Sequence, residues 1–428
     1  MRILHIIHRY HPARGGAERY LEKLSSHLSA AGHEVQVVTT DALDFELFWD
    51  PGGKRVEEHE GHHQGVAVRR FPVRHLPMSA LSFPLIRRVI WLLSGIKPLP
   101  LSWLHRLSRF APWLPSLQEW AETTTQRFDL VGAMTITFDP LFEAAQRLAR
   151  RQGIPFVAYP LTHLGAGQKP GQDALSRFYT LRHQTALVTS SDALVAQTPA
   201  EASYYQDKGM PVERIVISGQ GIILAEFAGG DGQRFRTTHG LAQPIILSIG
   251  AMSFDKGTQH VVEAVRHLWS IGRRVELVLI GDVLSPFRKF INDIPAADRQ
   301  RIQLLGPVDE AEKRDALAAA TMLAMPSRTE SFGTVYLEAW AYSLPVIGAT
   351  TWGVMDVISD GEDGLLVPFG AVDLLAQAMR QLLDNPQKAN EMGRCGREKV
   401  IRDYDWQHQC QMVDELYLAL TQETRWAR

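Results

Sequence analysis

Short apolar runs recur along the chain, separated by stretches in which apolar residues return every three or four positions. The first run, residues 3–7, is continuous and suits a strand buried on both faces. After a loop ending in Gly15-Gly16, residues Ala17, Leu21, Leu24 and Leu28 fall at helical spacing. Gly32 stops that helix, and Val35, Val37 and Val38 open the next strand. Strand, loop, helix and strand in this order form the unit of a parallel sheet.

The unit repeats. The pattern predicts strands at residues 129–133, 154–158, 193–196 and 215–217, with a helix over 140–152. A second helix starts at Thr198-Pro199-Ala200-Glu201, a capping box with proline at the first helical position. Gly229-Gly230-Asp231-Gly232 interrupts the apolar pattern and reads as a linker. Beyond it, strands are predicted at 245–249, 275–280, 302–305, 322–325, 346–347 and 365–367. Two doubly wound α/β domains follow. Neither opening strand leads into G-x-G-x-x-G, which disfavours a nicotinamide dehydrogenase.

Length agrees with two domains, at 428 residues. A net charge of −2 removes the basic footprint that nucleic-acid binding needs. The two cysteines, Cys395 and Cys410, make neither a disulfide framework nor a zinc pattern, and a reducing cytoplasm is expected. The opening apolar run ends at His8-Arg9-Tyr10-His11-Pro12, too soon for a signal peptide. No apolar stretch reaches the length of a membrane span, about 18 residues.

Ligands of open α/β sheets bind outside the carboxyl ends of strands. The loop after residues 322–325 reads Pro-Ser-Arg-Thr-Glu-Ser-Phe-Gly-Thr and leads into a helix from about Val335 to Tyr342. Backbone N–H groups of Gly333, Thr334 and Val335 there form an anion site for a diphosphate. Glu338, one turn on, can accept two hydrogen bonds from a ribose diol, and Glu330 can face the other end of the ligand. Either glutamate alone reads as a solvated charge; their shared loop favours a site.

Glu330 and Glu338, within Pro-Ser-Arg-Thr-Glu-Ser-Phe-Gly-Thr-Val-Tyr-Leu-Glu-Ala, resemble the EX7E signature of retaining GT-B glycosyltransferases, family 4. The resemblance extends over nearly the whole chain. His11-Pro12-Ala13-Arg14-Gly15-Gly16 is similar to the family's first glycine-rich loop, Asp255-Lys256-Gly257 to its Lys-Gly step, and residues 361–366 to its late turn and strand. It implies two Rossmann-like domains facing each other across a cleft: an acceptor-side domain at 1–225 and a donor domain at 226–405. A helix at 406–428 would cross back to the first domain. It implies transfer of a sugar from a nucleotide-diphosphate sugar to a sugar or lipid-linked acceptor, with retention of configuration and no metal or other cofactor. Lys256, Glu330 and His163 would be catalytic. Gly16, Gly250, Val308, Phe332, Gly333, Thr334, Val335 and Glu338 would bind the donor.

One departure stands out. The family usually carries an arginine after the glycine that ends the first strand of the second domain, whereas Gly250 is followed by Ala251-Met252-Ser253. The bidentate phosphate contact is therefore missing or supplied elsewhere, with Arg328 a candidate. Alternatives are a disaccharide phosphorylase, a nucleotide-sugar epimerase, and a non-catalytic sugar-nucleotide-binding protein.

Residues 81–120 read as an insertion in the first domain. They hold Trp91, Trp103, Trp113 and Trp120, and five basic residues against the single acid Glu119. Prolines 84, 98, 100, 112 and 115 break the stretch into short pieces. Aromatic and basic residues together suit an interfacial segment, so a peripheral contact with the inner face of the membrane is expected. A helical cap over the first sheet is the competing reading.

Overall fold

The computed structural model describes residues 1–426, which divide into two units. Unit 1 comprises Met1–Thr162, Ala174–Ser218 and the chain from Cys410 onward; unit 2 comprises His163–Asp173 and Gly219–Gln409. Sequence order puts residues 163–173 in the first domain, but this segment makes its contacts in unit 2. There Trp352 donates from its backbone to the Gly165 carbonyl at 3.1 Å and from its indole to the Gly167 carbonyl at 3.0 Å.

Unit 1 carries eight strands: β1 (Arg2–Ile6), β2 (Glu34–Thr40), β3 (Glu60–His63), β4 (Val66–Phe71), β5 (Leu130–Met134), β6 (Phe156–Tyr159), β7 (Ala193–Ala196) and β8 (Ile215–Ile217). Their order in the sheet is β3-β4-β2-β1-β5-β6-β7-β8. All neighbours are parallel except β3 and β4. The central β1 buries Ile3, Leu4 and Ile6 between β2 and β5, pairing Ile3 with both Val35 and Leu130. β3 and β4 are absent from the sequence prediction, and for β3 the reason is physical. β3 is Glu-Gly-His-His at the sheet edge, half in water, and has no apolar period to detect.

The capping box forms in part. Thr198 accepts from the Glu201 amide, while the Glu201 carboxylate accepts from the Gln197 and Thr162 amides rather than from Thr198. The helix Trp406–Trp426 enters unit 1 from Cys410. Its buried Tyr417 hydroxyl lies 2.9 Å from His5 Nε2 and 2.7 Å from the Tyr159 hydroxyl, beneath Gly132, where a methyl would sit 3.0 Å from that hydroxyl.

Unit 2 carries β9 (Ile245–Ile249), β10 (Glu276–Ile280), β11 (Ile302–Leu305), β12 (Met322–Met325), β13 (Val346–Ala349) and β14 (Gly364–Val367), all parallel, in the order β11-β10-β9-β12-β13-β14. Chain order reverses between β9 and β12. Helices cover both faces. One core layer gathers Val261, Val265 and Leu268 with Leu375 and Met379; the other gathers Leu317, Leu337 and Trp340.

Candidate active site

Two loops leave the carboxyl ends of β9 and β12, on either side of the point where strand order reverses, the crevice in which open α/β sheets bind ligands. They are joined to each other by the backbone. The Arg328 amide donates to the Asp255 carbonyl at 3.0 Å, and Ser327 Oγ donates to the same carbonyl at 3.2 Å. Gly257 makes the close approach possible: its φ is +73°, and a Cβ there would lie 2.3 Å from the Pro326 carbonyl oxygen. Gly250, at the end of β9, sits beneath this junction with φ +147°.

The junction brings Lys256 to Glu330. Lys256 Nζ pairs with the Glu330 carboxylate and donates to the Thr329 carbonyl at 3.2 Å. His163 joins them within unit 2. Burial first, and then the Lys256 ammonium, push its imidazole down to about 3, while Asp173 and a hydrogen bond with the Thr329 backbone act in the opposite sense. The ring is therefore neutral at physiological pH and able to donate or accept a hydrogen bond without adding charge.

From Glu330 the loop runs through Phe332, buried edge-on against Tyr404, to the helix Thr334–Ala341. Gly333, at φ +91°, takes the capping position and has no side chain to occupy the first-turn amides. Those of Thr334 and Val335 have no partner within the helix by its geometry, which leaves a dipole-backed anion site. The late turn anticipated from Gly361 holds this helix in place. Asp363 pairs with Lys399 at 2.8 Å and accepts the Trp340 indole N–H on its carbonyl at 2.9 Å.

Glu338 is 5% exposed and accepts from Lys313 at 3.1 Å; Lys313 also reaches Glu310 at 2.9 Å. Val308 lies partly buried after β11, just before the helix Glu310–Ala319 that carries Lys313. Unit 2 thus collects Lys256, Glu330, Glu338, Val308, Gly250 and the 332–335 loop, together with His163. Gly16 stands in unit 1 at the start of the helix Gly16–Ala30. A methyl on Gly16 would meet nothing within 4 Å, whereas one on Gly15 would lie 2.2 Å from the Glu18 carboxylate. A side chain at position 15 would displace the Glu18 carboxylate, whereas position 16 has open space.

Arg328 does not replace the arginine missing at Ala251. Its guanidinium is committed to Asp255, with Nε at 2.7 Å, and lies over the rings of Phe254 and Phe369. Lys313 is a participant that sequence reasoning missed, because a lysine in a charged helix of sequence Glu-Ala-Glu-Lys-Arg-Asp carries no local sign of burial.

A second missed cluster lies in unit 1. His11, Glu22 and His63 bring ligand atoms within 4.8 Å of one another, from positions whose spacing suggests no metal site. His63 Nε2 is 2.8 Å from Glu22, and the two imidazoles stack with centroids 3.6 Å apart.

Comparison with known proteins bears on the family. Residues 15–221 match the family model described as glycosyl transferase 4-like domain, and residues 231–399 match that of glycosyl transferases group 1. The alpha-maltose-1-phosphate synthase of Mycolicibacterium smegmatis is 31% identical over 191 residues, 41% of this chain and 48% of that protein. The chain thus spans about half the length of that relative. The glycogen synthase of Mycobacterium tuberculosis is 25% identical over 98% of this chain and 95% of its own. Among solved structures, sucrose-phosphate synthase from Thermosynechococcus elongatus superposes with a TM-score of 0.72 at 20% identity, over 98% of this chain and 99% of that one. Anabaena HepE in complex with UDP-glucose gives 0.70 at 18% identity, over 98% and 100%. Two Rossmann-like sheets, a glycosyltransferase model matched on each half and these superpositions together establish that the chain belongs to the GT-B glycosyltransferases.

Proposed function

We propose that this chain is a retaining, metal-independent member of family 4 that moves a sugar from a nucleotide-diphosphate sugar to a sugar or lipid-linked acceptor. The observation that carries the proposal is the constellation in unit 2. A cation (Lys256) and an uncapped helix start (Gly333 to Val335) share one loop junction with two carboxylates, Glu330 and Glu338. The solved relatives contain UDP, UDP-glucose or ADP, which suits a diphosphate at that helix start.

In this mechanism the helix amides and Lys256 neutralise the charge that grows on the leaving diphosphate, electrostatic work of the kind that dominates most rate enhancements. Glu338 binds the ribose hydroxyls, exchanging part of its contact with Lys313 for them. Glu330 orients the donor sugar. Because it is paired with Lys256, it is a poor nucleophile, which favours reaction on one face of the sugar through an ion pair. The departing phosphate then takes the acceptor proton. Neutral His163 supplies a hydrogen bond near the sugar.

A screen of UDP-, GDP- and ADP-sugars by thermal shift tests donor binding, since a bound donor raises the melting temperature by mass action. The anomeric configuration of the product, read by NMR, then tests retention. A chain stabilised by no nucleotide sugar contradicts the donor site, and an inverted product contradicts the mechanism.

A further inference from the structure

The helix Ser79–Ser94 is apolar on two sides, and only one of them is covered. Ile90 is buried with Leu104 and Leu181, and Ile86 and Leu93 pack against them in a small core of unit 1. A second, neighbouring side faces water. Met78 is 77% exposed, Leu81 69%, Leu85 62% and Leu92 55%, with Val89 and Ile96 completing the row. Leu81, Leu85, Val89 and Leu92 follow helical spacing and form one stripe about 16 Å long, with Met78 and Ile96 just beyond the two ends of the helix. A contiguous apolar surface of this kind on a folded chain marks a contact with something else.

Charge indicates what that contact is. From residue 61 to residue 118 the chain contains eight arginines and lysines and no aspartate or glutamate; Arg69, Arg70 and Arg109 pair with Glu60, Glu58 and Glu143 from outside this stretch. Arg88 lies beside the stripe on the same helix, and Lys97 follows its end; both are exposed. On the neighbouring helix Leu101–Ser108, Trp103 is 56% exposed and Arg106 is exposed one turn on. A second copy of this chain is a poor occupant. A two-fold contact through the stripe would set Arg88 and Lys97 against their own counterparts with no acid to offset them. An anionic bilayer complements both features, taking the leucines below its headgroups, the tryptophan ring at their level and the cations against lipid phosphates. Among the described residues no helix is long and apolar enough to cross a membrane, so the contact lies in the plane of the interface.

We propose that the exposed face of helix Ser79–Ser94 docks unit 1 reversibly on an anionic lipid surface. This deepens the lipid-linked alternative for the acceptor but does not depend on turnover, so its failure and the failure of the proposed activity are separable. The test is sedimentation of the full chain with phosphatidylcholine vesicles, with and without phosphatidylglycerol, at low and high salt. The wild type should pellet with the anionic vesicles at low salt and be released by high salt. Leu85→Glu combined with Leu92→Glu should lower the partition coefficient at least about tenfold. Both positions are exposed, so the variant should keep the wild-type melting temperature and nucleotide-induced shift. A wild type that stays in the supernatant, or a variant that pellets equally well, overturns the proposal. So does a wild-type dimer in size-exclusion chromatography that the variant abolishes, which would assign the face to self-association.

Discussion

Lys313 and Glu338, 25 positions apart in the chain, form a buried ion pair at 3.1 Å. Removing one partner of such a pair leaves a charge without compensation, which costs about 3–5 kcal/mol. Lys313 keeps Glu310 at 2.9 Å, so the lower end applies. Glu338→Ala should reduce unfolding free energy by about 3 kcal/mol in a urea titration. It should also weaken donor binding at least about tenfold in calorimetry, since a charge-assisted hydrogen bond is lost. Unchanged donor affinity would remove Glu338 from the site.

Lys256 faces charge that develops during the reaction. Lys256→Ala should therefore lower kcat by about 10²–10³ with a smaller change in donor KM. Lys256→Arg should recover only part of the rate, because the planar guanidinium does not reproduce a point charge in the same space. Steady-state kinetics at saturating acceptor distinguish these effects. A variant that raises KM alone would make Lys256 a binding group.

Gly257 tests the loop junction without touching a charged group. Gly257→Ala places a methyl 2.3 Å from the Pro326 carbonyl at a φ that L-residues disfavour, +73°. A loss of about 2 kcal/mol or more is expected, measured by denaturant unfolding. Transfer activity should fall further than stability accounts for, because Lys256 is the adjacent residue. Wild-type stability would show that the two loops are not held together by this contact.

Metal dependence has a direct check. Transfer should persist in excess chelator, with Lys256 and the helix amides supplying the positive charge. His63→Ala, which breaks up the His11–Glu22–His63 cluster, should leave the rate unchanged. Activity abolished by chelator and restored by magnesium or manganese would refute the proposed chemistry.

His5, like His163, contributes to acid stability. Burial pushes its imidazole from the ordinary 6.5 down to about 3. Between these values the unfolded chain binds a proton that the folded chain does not. The stability is thus fully present above 6.5 and is lost as pH falls toward 3, by about 1.4 kcal/mol per pH unit. The melting temperature should drop from pH 7 to pH 5. His5→Gln should be less stable at pH 7 but should show a flatter decline. An equal slope in wild type and variant would mean that His5 does not govern this range.

The sequence by itself determined the alternation of strands and helices in both units. A strand buried on both faces is apolar almost throughout, and β7, β9 and β12 lie at the residues their apolar runs predict; the half-buried edge strands β8 and β11 also lie where they are expected. It also located the loop and helix start between Glu330 and Glu338, because they follow an apolar strand at the carboxyl end of a parallel sheet. Only the tertiary structure decided what these residues touch. The polar edge strand β3 has no hydrophobic period, so nothing local announces it. Residues 163–173 follow a strand of unit 1 in the chain, yet Gly165 and Gly167 accept hydrogen bonds from Trp352 in unit 2, contacts almost two hundred positions away. Lys313 meets Glu338, and His11 meets His63, only through sheet order and loop path. The helix Ser79–Ser94 is apolar on two sides in sequence, and only packing decided which of them is buried and which remains exposed. Periodicity records how much of an element is apolar. Which surfaces meet depends on a three-dimensional arrangement set by many distant residues acting at once.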